Sequence, residues 1–349
     1  FFGMLEKPSL RVSVVGAGAW GTAICKIVAN NVRLLKEFDD EVQLWAYPEV
    51  IGDQVICDVI NTQHENVKFL PGIKLPENIL ASSDLHSVVS RADILVIAVP
   101  HQFLGRICGE MKSSVKPSAF GLSLIKGLDI QQGGRIELIS RVIEGMLGIS
   151  VSVLMGANIA IEVAQEQFCE STLGARCEEH GRLLHRILQT PYFRVATVSD
   201  CAGVEICGAL KNIVACAAGV IDGLGMGSNT KAAVMRIGLL EMLKFADMFY
   251  EGVQTQTILE SCGVADLITT CNGGRNRRVA EAMVRTGKPL DTMEEELLQG
   301  QVLGPLTAKV VHQALKAANK RSEFPLFIAV HNFMCGTLKA DDFLSTLFS

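Results

Sequence analysis

The chain has 349 residues, 49% of them hydrophobic, and a formal net charge of −5. That is enough apolar material for a large core and, by length, for two domains, while the lack of a long basic run leaves nothing to favour a nucleic-acid surface. The 11 cysteines are scattered without a C-x-x-C pair, no secretory signal is visible, and the seven histidines show no ligand spacing; a reduced intracellular compartment and no structural metal are expected.

In chain order, VSVVGAG (12–18) predicts a buried strand entering a turn, WGTAICKIVANNV (20–32) a helix, and VQLWAY (42–47) a second strand. ADILVIAVP (92–100), FGLSLIKG (120–127), VSVLMGAN (151–158) and FRVATVS (193–199) predict four more strands. Strands separated by helical stretches imply a mainly parallel sheet covered on both faces. Beyond residue 200 the patterns are helical, over 202–221, 231–249, 255–261, 276–286, 293–298, 306–319 and 324–335. The expected division is therefore an α/β domain over 1–197 and an all-helical domain over 198–349, touching around a cleft because no Gly/Ser linker intervenes. Residues 204–221 are long and apolar enough to raise a membrane span, but Glu205, Lys211 and Asn212 interrupt them, which favours a buried helix.

GAGAWG (Gly16, Ala17, Gly18, Ala19, Trp20, Gly21) fits G-x-G-x-x-G between a predicted strand and a predicted helix. In that context Gly16 permits the tight turn, Gly18 lets backbone approach a pyrophosphate, and Gly21 allows close helix–strand packing. A plain glycine-rich turn is the alternative. The sheet then reads as a doubly wound, Rossmann-type dinucleotide-binding domain. After the second strand, LWAYPE (44–49) offers Tyr47 to cover the adenine or ribose and Glu49 to reach a 2′-hydroxyl; it holds no Arg or Lys for a 2′-phosphate, which favours NAD over NADP. Phe103, after another strand, either lines the nicotinamide side or packs as a loop aromatic, and His101 reads as structural. Lys126 ends a further strand and is expected in the same cleft, with Asn158 and Ala160 near the cofactor.

CGALKNIVACAAG (207–219) sets Lys211 beside Asn212 in a small, apolar helix, where a charge is costly unless paired or used. The small residues Gly208, Ala209 and Ala215 admit either another element or a ligand. A structural ion pair and a catalytic lysine are both open from the segment alone; beside a dinucleotide site catalysis comes forward, because hydride addition to a ketone leaves negative charge that an ammonium can stabilise and protonate. CNGGRNRRVAEAM (271–283) is a Gly-rich turn entering a helix with three arginines, suited to a phosphate monoester, with Arg277 and Arg278 read as solvated. DGLGMGSNTK (222–231) lacks phosphate-loop spacing and predicts a turn capped by Asn229 or Thr230, with Lys231 an ordinary first-turn residue.

Together GAGAWG, NTQHENVKFLPG (61–72), VPHQF (99–103), SLIKG (123–127), MGANIA (155–160), VEICGALKNIVA (204–215), ESCGVADLITTCNGGRNRRVAEA (260–282) and GQVLGP (300–305) resemble NAD-dependent glycerol-3-phosphate dehydrogenases of the eukaryotic cytosolic type. The resemblance implies reversible reduction of dihydroxyacetone phosphate to sn-glycerol 3-phosphate by NADH, a Rossmann domain followed by a helical one, a cytoplasmic location and a homodimer. It also implies roles: Lys211 as catalytic lysine; Lys126, Asn212, Asp266 and Thr270 as its partners around the reacting carbonyl, Lys126 also touching substrate; Arg275 and Asn276 as phosphate grip, Arg275 also near the cofactor. GQVLGP departs from the family: it is one residue shorter, with Leu303 where a glutamine is common and Val302 where a lysine is, leaving Gln301 as the expected cofactor contact. A 3-hydroxy acid dehydrogenase of similar layout and a non-catalytic NADH-binding regulator are the rival readings.

Overall fold

Apolar runs without alternation, such as Ile94–Ile97 and Val151–Met155, are buried along their whole length, as strands covered on both faces must be. The computed structural model describes residues 9–130, 136–298 and 302–347. The chain packs as two units: unit 1 takes residues up to Ile125, Ser140–Leu154 and Asn158–Ser199; unit 2 takes Lys126–Ile139, Met155–Ala157 and everything from Asp200. Unit 2 thus draws two segments from the first half of the chain, which a division by chain order at 197/198 assigns elsewhere.

The strands are β1 (Leu10–Val15), β2 (Phe38–Trp45), β3 (Val50–Ile51), β4 (Gln54–Val55), β5 (Ile79–Ser82), β6 (Ile94–Ile97), β7 (Phe120–Ser123), β8 (Leu128–Ile130), β9 (Ile136–Leu138), β10 (Val151–Met155), β11 (Cys169–Gly174) and β12 (Phe193–Val198). In unit 1, eight of them form one sheet in the order β12-β11-β10-β7-β6-β1-β2-β5, with β1 pairing in parallel to both β2 and β6. The chain winds from β1 out through β2 to β5, then returns to β6 on the other side of β1. That reversal is where doubly wound sheets bind ligands, beyond the carboxyl ends of the strands. Alternation along the strands separates two faces. Val12, Val14, Ile94 and Val96 share a core with helix Ala19–Val32 and helix Glu178–Leu188. The intervening Ser13 points the other way, its hydroxyl donating to Val88 O at 2.9 Å on helix Leu85–Ser90.

Two strands of this sheet, β5 and β11, have no counterpart in the sequence reading. Strand β11 reads CESTLG, without an apolar run, and buries Ser171 and Thr172 instead; β5 has only four residues and alternates buried with exposed at the sheet edge. The predicted strands are real but end sooner, so Tyr47 and Lys126 lie beyond strand ends, where Phe103 is already expected, rather than within strands.

Unit 2 is built around helix Cys201–Gly223, whose apolar stretch is wholly buried in the protein. Asp200 caps it, accepting from Gly203 N at 2.7 Å, and the same carboxylate accepts from Gln254 N at 2.8 Å and the Thr257 hydroxyl at 2.7 Å. Helices Ser228–Phe249, Asp266–Gly273, Arg275–Thr286, Leu303–Ala317 and Pro325–Met334 surround it. Helix Arg275–Thr286 comes closest: a Cβ at Gly219 would strike Arg277 O, and one at Gly223 would lie 2.5 Å from Val284 Cβ. The β8–β9 hairpin adds the unit's strands and packs on helix Leu303–Ala317, so the unit is mainly rather than wholly helical. Helix Ser228–Phe249 starts at Gly227 with no side-chain cap, earlier than the expected cap at Asn229 or Thr230. Helix Asp266–Gly273, absent from the sequence reading, follows a π-helical turn at Ser261–Ala265, a geometry frequent at functional sites.

Candidate active site

At the end of β1, Gly16 takes φ +115°, and a Cβ there would sit 2.6 Å from Ala98 O. Gly21 packs so closely that a Cβ would strike Gly16 O, whereas Gly18 faces open space with nothing within 4 Å. Gly18 also begins helix Ala19–Val32 without any capping side chain, leaving the first-turn N–H groups of Ala19, Trp20 and Gly21 without intrahelical acceptors. An open approach, an uncapped helix start and two glycines consumed by packing are the features a dinucleotide pyrophosphate requires, so these residues fit NAD. Ala17 is buried behind the turn, and Trp20 leans on Phe193 with ring centroids 6.3 Å apart.

Two aromatics stand out beyond strand ends in this unit: Tyr47, 53% exposed after β2, and Phe103, 45% exposed after β6. The Arg106 guanidinium lies 5.8 Å from the Tyr47 ring centroid, and Lys68 pairs with Glu49. Glu49 is therefore shared with a lysine rather than held open for a ribose hydroxyl, and two cations absent from LWAYPE stand at its edge. Neither is visible locally, since each comes from a distant segment. Ala160 opens the short helix Ala160–Ala164 and is partly exposed. Asn158, expected near the cofactor, spends its amide on the sheet, donating to Glu170 O and accepting from the Ser171 hydroxyl, both at 2.9 Å. Gln301 lies outside the described residues.

In unit 2 the structure gathers Lys126, Lys211, Asp266 and Thr270. Asp266, buried one residue past the π-helical turn, bridges two ammonium groups: Oδ1 accepts from Lys211 Nζ, and Oδ2 accepts from Lys126 Nζ at 2.8 Å. Lys211 also donates to Thr270 Oγ1 at 2.6 Å, and Lys126 donates to Gly156 O at 3.2 Å. Two of the three N–H directions of Lys211 are thus occupied and one is left. Lys211 is only 5% exposed. Desolvation, with the Lys126 charge second, lowers its pKa to about 7, although Asp266 pulls the other way. A group that holds and releases a proton near neutrality is what acid–base work needs.

Asn212 does not join this cluster. It donates to Gly208 O at 3.2 Å and Ala209 O at 3.1 Å and accepts from Asn276 Nδ2 at 2.8 Å. Asn276 in turn accepts from Gly304 N at 2.8 Å, so the two asparagines tie the lysine helix to the start of helix Leu303–Ala317. Leu303 begins that helix, and Val302, buried, donates its N–H to Glu294 Oε1 at 2.8 Å. Arg275 is different: it is exposed, forms no ion pair among the described residues, and is the first residue of a twelve-residue helix whose N-cap, Gly274, provides no capping side chain. Gly274 N donates to Thr270 O at 3.0 Å, which sets this helix start directly after the Lys211 partner Thr270.

Two readings of this region change, and one left open is decided. Arg277 is not solvated: it bonds Asp222 Oδ2 and Glu281 Oε2, both at 2.7 Å. Lys231 reaches the same Asp222 oxygen at 2.8 Å. The small residues of the lysine helix admit protein, since a Cβ on Gly208 would lie 2.8 Å from Met155 Sδ and Ala215 is fully buried. Among the described residues no group of three or more His, Cys, Asp or Glu side chains is arranged to hold a metal.

The sequence profile of the NAD-dependent glycerol-3-phosphate dehydrogenase N-terminus matches residues 11–181, and that of the C-terminus matches residues 200–345. The cytoplasmic NAD(+) glycerol-3-phosphate dehydrogenase of Bos taurus is 52% identical over 339 residues, 97% of each chain, and that of Homo sapiens is 54% identical over 325 residues, 93% of each. A solved glycerol-3-phosphate dehydrogenase from Saccharomyces cerevisiae is 41% identical with a TM-score of 0.92, covering 98% of this chain and 100% of that one. One from Plasmodium falciparum is 37% identical with a TM-score of 0.94, covering 98% and 96%. Both halves of the chain, and the relatives that span nearly its full length, place it in the NAD-dependent glycerol-3-phosphate dehydrogenase family.

Proposed function

We infer that this protein is an oxidoreductase that interconverts dihydroxyacetone phosphate and sn-glycerol 3-phosphate with NADH and NAD. The observation that carries the chemistry is Lys211, a buried ammonium lowered to about 7 with one N–H left to give, followed closely in the fold by the Gly274–Arg275 helix start. The glycine turn of unit 1 holds the nicotinamide cofactor, which supplies the hydride when bound. In the reducing direction Lys211 Nζ donates to the carbonyl oxygen, stabilises the charge that builds there and gives up its proton. Asp266 and Thr270 fix the ammonium, and Lys126 lowers its proton affinity. In the oxidising direction neutral Lys211 takes the hydroxyl proton. Arg275 and the free N–H groups of its helix grip the phosphate.

A guanidinium would also bind the carboxylate of a 3-hydroxy acid, so that rival is set aside by the family match over both halves of the chain, and a pure NADH sensor has no use for a desolvated lysine held between a carboxylate and a hydroxyl. The cytoplasm, named for the bovine and human relatives, is the proposed compartment, and a homodimer is the proposed state, resting on family likeness alone. NADH oxidation with dihydroxyacetone phosphate, compared with unphosphorylated dihydroxyacetone, tests the assignment. Efficient turnover of the first and a large loss with the second are expected; equal use of both overturns the phosphate grip, and turnover of neither overturns the activity.

A further inference from the structure

Asn66 lies in the segment NTQHENVKFLPG and is fully buried. Its amide is completely engaged. Nδ2 donates to Ala17 O at 2.8 Å and to Thr22 Oγ1 at 2.9 Å, and Oδ1 accepts from Phe69 N at 3.2 Å. The Thr22 hydroxyl donates to Ala17 O as well, at 3.2 Å. One carbonyl of the glycine turn is therefore held by two side chains, from 49 residues downstream and 5 residues downstream respectively.

The consequence follows from peptide planarity. No cis peptide bond occurs among the described residues, so the Ala17 carbonyl and the Gly18 N–H point in opposite directions from one plane. Holding that carbonyl inward on Asn66 and Thr22 aims the Gly18 N–H outward, on the residue whose Cβ position faces open space. Gly18 itself cannot fix this orientation, because glycine has the widest choice of backbone conformations. We propose that Asn66, seconded by Thr22, is a positioning residue for cofactor binding: it sets the direction in which the Gly16–Gly21 turn presents its backbone donors to the pyrophosphate. The proposal rests on the reading of that turn as the NADH seat.

The test is titration calorimetry with NADH and with ADP-ribose, which keeps the pyrophosphate and lacks the nicotinamide, alongside steady-state kinetics and melting temperature. Asn66→Ala is expected to weaken NADH and ADP-ribose equally, by about tenfold, the size of one lost buried hydrogen bond. The loss should fall on KM for NADH rather than on kcat or on KM for dihydroxyacetone phosphate. Thr22→Val, nearly isosteric, should shift the same constants the same way by roughly threefold, the lower end of a single hydrogen bond, and stands in if Asn66→Ala does not fold. A role confined to anchoring residues 64–72 predicts a lower melting temperature with both affinities unchanged in the folded protein; that result overturns the proposal. Gly18→Ala separates the two levels, since its methyl meets no protein atom and can obstruct only a ligand. If Gly18→Ala weakens NADH and the Asn66 and Thr22 variants do not, the positioning role fails alone; if Gly18→Ala has no effect, the cofactor seat is elsewhere and the proposal falls with it.

Discussion

Helices Ala19–Val32 and Arg275–Thr286, like Ser228–Phe249, begin with a glycine N-cap and no capping side chain. Both leave first-turn N–H groups for an anion, yet they are equipped differently. The unit 1 start carries no charged side chain, only Ala19, Trp20 and the two packed glycines. The unit 2 start carries Arg275, exposed and without an ion pair among the described residues, and follows a helix that holds Asp266 and Thr270. The difference matches the ligands. A pyrophosphate inside a dinucleotide is a diester-like group with charge spread over two phosphates and a large body to anchor it elsewhere. A phosphate monoester on a three-carbon substrate is most of the ligand, so a cation at the helix start becomes worthwhile. On the proposed assignment, backbone donors serve one seat and side-chain charge is added in the other.

The largest effect expected from breaking this contrast is at Lys211. Lys211→Met keeps the stem and removes charge and proton; turnover should fall by roughly 10²–10⁴-fold or more. NADH affinity, set in unit 1, should stay within about twofold. A folded variant with more than about a tenth of normal turnover contradicts the assigned role.

Next is Arg275→Lys, which retains a charge but not the bidentate fork. Its kcat/KM for dihydroxyacetone phosphate should drop by about 2–3 kcal/mol. Comparing that loss with the loss for dihydroxyacetone sharpens the contrast: equal losses would mean that this helix start, like the first, serves something other than a monoester.

A third expectation concerns pH. The reducing direction needs Lys211 charged, so its kcat/KM should be flat below about pH 7 and decline above it, while the oxidising direction should rise through the same range. Lys126→Met removes a cation that lowers the Lys211 pKa, so both limbs should move to higher pH, by on the order of one unit. Movement to lower pH would show that Lys126 acts mainly through some other group.

The smallest effect is ionic. Because Arg275 is exposed, added salt should raise KM for dihydroxyacetone phosphate more than KM for NADH. Parallel rises would erase the distinction between the two seats.

What the sequence disclosed follows the range over which each feature is determined. The glycine turn is legible because strand, turn and helix lie within about one supersecondary unit, and Lys211 is legible because a charge in an apolar helix is anomalous by itself. The partners that decide a side chain's role are not so local. Arg277 looks solvated and Lys231 an ordinary first-turn residue until Asp222 is seen between them, and Glu49 looks open until Lys68 arrives from another segment. Asn212 and Asn276 are ligand contacts by what the family resemblance implies, and the structure turns them toward each other and toward Gly304. Strand β11 escapes because two of its buried positions are Ser and Thr, and helix Asp266–Gly273 because its start depends on a π-helical turn that hydrophobic spacing does not encode.

The contact through Gly219 and Gly223 has a bearing on how this protein can evolve. With only glycine offered by helix Cys201–Gly223 against Arg277 O, Ala280 and Val284, it and helix Arg275–Thr286 have little slack in which to slide. If helix Arg275–Thr286 grips the phosphate as proposed, substrate size cannot then be tuned by its gradual displacement, since each added carbon at the interface would push both helices and the Asp222–Arg277 pair together. Change is confined to the residues that project from the helix start, Arg275 above all. Lineages that keep these glycines should diversify by swapping that side chain outright, while the distance from grip to lysine stays constant.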